Sequence, residues 1–63
     1  MQLRQIMRQK QIKTADLAKA VGVTESAILK WQAGRRIPRL PTAKKVASAL
    51  GVTLDELFEE EQK

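Results

Sequence analysis

The 63-residue chain has no cysteine, no histidine and no tyrosine, and only one tryptophan (Trp31), one phenylalanine (Phe58), three glycines and two prolines. Each scarcity removes something. Without cysteine there are no disulfides and no thiolate chemistry, and without histidine as well the usual zinc ligands are gone. Two aromatics do not make the stacking platform that single-stranded nucleic acid requires. With no Gly-rich phosphate loop and no evident carboxylate pair, an enzyme has nothing from which to assemble a catalytic constellation. No cofactor, metal or small-molecule ligand is therefore expected. No run approaches the ~20 apolar residues of a membrane span, and Arg4 and Arg8 interrupt the N-terminus before a signal peptide's apolar core can build. The expectation is a cytoplasmic protein with no membrane partner.

What is present is short, basic and helical. Sixty-three residues suggest one domain, 1–63. A chain of that size buries only about 60% of the surface its unfolded form exposes, so stability must come from efficient helix packing, self-association or a bound partner. The formal net charge is +5, unevenly distributed. Residues 1–45 hold eleven of the twelve Lys/Arg against only Asp16 and Glu25, whereas residues 46–63 hold Lys63 against Asp55, Glu56, Glu59, Glu60 and Glu61. A basic body with an acidic end points to a polyanionic partner for the body, although basicity can also serve solubility alone.

Apolar residues recur at helical spacing throughout, and no stretch alternates like a strand. Leu3, Ile6 and Met7 mark a first helix; Leu17, Ala18 and Val21 a second; Ala27, Ile28 and Trp31 a third; Ala43, Val46, Ala47 and Leu50 a fourth; Leu54, Leu57 and Phe58 a short fifth. The expected ranges are roughly 2–10, 14–21, 25–33, 41–50 and 54–61. Thr24 and Thr53 suit N-cap positions, and Glu56 three residues after Thr53 completes a capping box. Gly22, Gly34 and Gly51 follow helices two to four, where a left-handed residue is wanted. Pro38 and Pro41 punctuate the one irregular segment, about 34–40.

The stretch from Thr14 to Ala33 narrows the choice among all-α folds. Ala18 is small where two helices crossing at about 90–120° must bring their backbones close, and Gly22 supplies the positive φ of a tight turn. Val23 plugs that turn into the core, while Ile28 and Trp31 lie one turn apart on the buried face of the next helix. Leu17, Ala18, Val21, Gly22, Val23, Ile28 and Trp31 together form the core of a helix-turn-helix. With these pieces in place, the chain resembles the phage-repressor-like (Cro/XRE-type) helix-turn-helix family from Leu3 to Phe58. The matching segments are Asp16-Leu17-Ala18, Gly22-Val23-Thr24, Ala27 to Trp31, the loop Gly34 to Pro38, and Val46 to Leu57. The resemblance implies a compact, lambda-repressor-like domain of five helices, with helices two and three as the DNA-reading unit, and a role in repressing transcription. Four positions depart from the family's common pattern. Met7 and Gln32 stand where many relatives pair an arginine with a glutamate, Thr14 where many have a DNA-touching glutamine, and Ala33 where many have an asparagine.

A third helix lying in the major groove would approach base edges with its N-terminal, outward residues. Lys30 can donate to guanine, Ser26 can contact base or phosphate, and Glu25 can accept from cytosine or simply stabilise the helix dipole. Leu29, odd on a solvent face, can meet a thymine methyl or lean on the core. Trp31 points inward and belongs to the core. Expected backbone contacts are Arg35, Arg36 and Arg39, where relatives grip phosphate, together with Thr24 and with Thr14 at the free N–H groups of helix two. Arg4, Arg8, Lys44 and Lys45 read as solvated surface. Relatives dimerise on palindromic half-sites about one helical turn apart; here Leu57 and Phe58 either supply that contact or close the core. The leading expectation is a sequence-specific repressor of duplex DNA. An antitoxin or restriction-controller type of regulator, or an adaptor that keeps the fold without reading DNA, are the competing readings.

Overall fold

In the computed structural model, which describes residues 1–59, the chain folds into five α-helices with no strand among those residues. They are α1 (Leu3–Lys10), α2 (Thr14–Val21), α3 (Glu25–Gln32), α4 (Leu40–Leu50) and α5 (Leu54–Phe58). No described helix is long and apolar enough to cross a membrane.

The ends of the helices follow from local chemistry. Thr24 caps α3, its hydroxyl oxygen accepting from the Ala27 amide at 3.1 Å. Thr53 and Glu56 form the reciprocal capping box at α5: the Glu56 amide donates to Thr53 Oγ1 at 3.1 Å and the Thr53 amide to Glu56 Oε1 at 2.8 Å. Gly22 ends α2 at φ 85°, a left-handed conformation that costs a non-glycine residue about 1–2 kcal/mol. The same turn lets the Val23 amide reach the Ala18 carbonyl at 3.0 Å and lays the Val23 side chain, half-buried, against the core.

The cap of the first helix was not announced by the sequence, and the third and fifth helices end earlier than expected. The first helix closes through Gln11 in the left-handed region (φ 57°), with Ile12 packed on the core behind it; no glycine announces this turn. The third stops at Gln32, and Ala33 keeps a right-handed conformation as its C-cap before Gly34 turns the chain at φ 77°. The fifth ends at Phe58 because Glu59 is extended (φ −60°, ψ 133°); the expected continuation through 60–61 lies outside the described residues.

All five helices contribute to one core. Helix α2 packs against α3 and α4, α1 against α3 and α4, and α5 against α4. Leu3, Leu17, Ile28, Val46 and Leu57 are its most deeply buried large side chains, and among the described residues no charged or polar side chain is buried with them. Each such burial contributes about 1.5–3 kcal/mol. Pro38 is also buried, so the loop between α3 and α4 is anchored at its middle.

Of the two alternatives for Leu57, a surface contact or closure of the core, the structure shows the second. Leu57 is completely buried, and its carbonyl accepts from the Gln2 amide at 2.8 Å, which ties the N-terminus to α5. Phe58, half-buried, packs on the edge of the core. The exposed residues of α5 between its apolar positions, Asp55 and Glu56, are acidic. The Leu57→Ala variant should lose about 2–5 kcal/mol in urea unfolding, a cavity-forming cost. A loss under 0.5 kcal/mol would place Leu57 outside the core.

Candidate nucleic-acid interface

The burial of Ile28 (0% exposed) and Trp31 (8% exposed) fixes how α3 is rolled about its axis. With those two inside and Ala27 and Gln32 half-buried, Glu25, Ser26, Leu29 and Lys30 are the residues left to solvent. Helix α2 braces α3 from behind, and Ala18, 5% exposed, permits the close approach.

Beside α3 runs a cleft of about 320 Å³. One wall is α3, with Thr24, Ser26 and Lys30; the other is the loop and the start of α4, with Arg36, Ile37, Arg39 and Thr42. Three cations and three hydroxyls thus line one concavity. Lys30, Arg35, Arg36 and Arg39 are all exposed. As solvated charges they add little to stability. Between residues 24 and 45 the only acidic side chain is Glu25.

The structure gathers some of the expected site residues and leaves others apart. Thr24, Ser26, Lys30, Arg36 and Arg39 share the cleft. Thr24 also carries the α3 cap, so its oxygen already accepts one hydrogen bond. Glu25 and Leu29 stand on the outward face of α3 but do not line the cleft, and Arg35, exposed in the loop, does not line it either. Thr14, half-buried at the first position of α2, opens a helix whose N-cap, Lys13, makes no side-chain capping bond. Ile37, Pro38 and Thr42 also line the cleft, although the sequence singled out none of them as a contact. The signal for Thr42 is its position, a hydroxyl in the first turn of the helix that follows an arginine-rich loop.

A family model described as a Cro/C1-type HTH DNA-binding domain matches residues 2–63. The chain belongs to that family. No curated protein matches it. Membership makes the chain an all-α DNA-binding domain.

Within this Cro/C1-type domain the departure at Met7 and Gln32 now has a physical form. Gln32 Nε2 donates to Met7 Sδ at 3.1 Å, so α1 and α3 remain joined by a neutral, partly buried hydrogen bond. Met7 is 3% exposed, and a charge placed there alone would lack a counterion. Met7→Arg should therefore cost about 3–5 kcal/mol, the penalty for an unpaired buried charge. Adding Gln32→Glu should recover most of that loss. A double-mutant cycle in urea checks this, and strict additivity of the two changes would show that positions 7 and 32 are not coupled.

Proposed function

We propose that the protein is a sequence-specific transcriptional regulator, a repressor that acts as a dimer on a palindromic operator. The observation that carries the reading is the shared cleft, in which Ser26 and Lys30 of α3 face Arg36 and Arg39 of the following loop. A helix that enters the major groove needs a flanking grip on phosphate to fix its register, and this arrangement puts both functions on one side of the molecule. In this reading Glu25, Ser26, Leu29 and Lys30 meet base edges, while Thr14, Thr24, Arg35, Arg36 and Arg39 hold the backbone. With Leu57 committed to the core, Phe58 is what the C-terminal helix can give a second subunit, and the bound half-sites lie about one helical turn apart.

Duplex binding measured across salt concentrations tests the reading. Each phosphate contact contributes about −0.9 to the slope of log K against log salt. Arg35, Arg36 and Arg39 engaged together give a slope of about −2.7 per protomer. Replacing Arg36 and Arg39 with alanine should flatten it by about two and weaken all duplexes evenly. An unchanged slope and affinity in that double variant would remove the cleft from the interface.

A further inference from the structure

The outward face of α3 consists of two rows with different chemistry. Residues four apart stack along a helix, so Ser26 and Lys30 form one row, and Glu25, Leu29 and the C-cap residue Ala33 form the other. The first row lines the basic cleft and carries hydrogen-bond donors. The second lies outside that cleft and, beyond the carboxylate of Glu25, presents only carbon. Leu29 is 54% exposed at the middle of this row, and Ala33 is exposed one turn further on.

A lone exposed leucine is ordinary on a protein surface. This one sits between hydrogen-bonding neighbours on the face turned away from Ile28 and Trp31, and its exposure shows that it does not lean back on the core. The major-groove edge of DNA offers one apolar group, the 5-methyl of thymine. We infer that Leu29, flanked by Ala33, selects thymine by packing on that methyl group. The inference rests on the DNA-reading function proposed above and adds the base chemistry of the site. The Ser26–Lys30 row reads hydrogen-bonding edges, and the Leu29–Ala33 row reads methyl groups. Leu29 and Ala33 are separated by about 6 Å of helical rise, close to two base steps of about 3.4 Å, so each half-site carries thymine within a two-step window.

The test starts from a duplex selected by the protein out of a random pool. Each thymine in it is replaced in turn by deoxyuridine, which pairs identically and lacks only the methyl. At one or two positions per half-site the wild-type protein should bind about fourfold more weakly, the equivalent of ~0.8 kcal/mol for one buried methyl. Leu29→Ala should bind the parent duplex more weakly and lose the difference between thymine and deoxyuridine at one or more of those positions. Lys30→Ala should bind more weakly yet keep the fourfold ratio. Because Leu29 is exposed, its replacement should leave the helical circular dichroism unchanged.

Tight binding that is indifferent to every deoxyuridine substitution, or a selected site without thymine, overturns methyl recognition and leaves the DNA-reading function standing. A Leu29→Ala protein that keeps the fourfold ratio overturns the assignment to Leu29. Failure of the wild-type protein to bind any duplex overturns both readings.

Discussion

The packing of Ile28 and Trp31 against the core is the constraint on which the rest of the structure depends. These two residues set the roll of an eight-residue helix. A rotation of one residue, about 100°, would carry Ser26 and Lys30 out of the cleft and turn Leu29 toward α2. The turn before α3 supports the same setting. Gly22 closes α2, Val23 fills the angle between the helices, and Thr24 caps the helix that follows. Orientation of the exposed face is thus decided by residues that face away from it.

A second consequence is the separation of stability from binding. Among the described residues no charged side chain is buried, and the core is apolar. Even the link from α1 to α3, between Gln32 and Met7, is a neutral hydrogen bond. The cations therefore have little part in holding the fold, and most of those between residues 30 and 39 border the cleft. The acidic residues concentrate at the opposite end of the sequence, where Glu56 completes a helix cap and Asp55 and Glu59 face solvent. In a small domain built in this way, substitutions at the exposed positions of α3 have little effect on folding.

Local chemistry was legible in the sequence. The capping box of Thr53 and Glu56 spans four residues, and the turn at Gly22 needs only a backbone conformation that glycine supplies at no steric cost, so both could be read from spacing. Ile28 and Trp31 were legible for the same reason, as a one-turn repeat of large apolar residues. What escaped depends on contacts between distant segments. Pro38 looks like punctuation in the sequence, but it is a buried anchor because α3 and α4 bring the loop over the core. Leu57 could have faced either way until α4 and the N-terminus enclosed it. The left-handed Gln11 had no glycine to betray it, and Ile12 behind it packs half-buried against the core. The cleft joins residues 24–31 with residues 36–42 across a turn whose path no periodicity specifies.

The claim that the roll of α3 presents a single DNA-facing surface is tested most directly by mapping backbone amide shifts by nuclear magnetic resonance as a selected duplex is added. The structure predicts that perturbations concentrate at Thr14, at 24–26, at Leu29 and Lys30, and from Ala33 to Thr42. It predicts none along Arg4, Gln5, Arg8 and Gln9 of α1, or at Asp55 and Glu56 of α5. A map centred instead on α1, or on Lys44 and Lys45 of α4, with α3 unperturbed, would contradict the account.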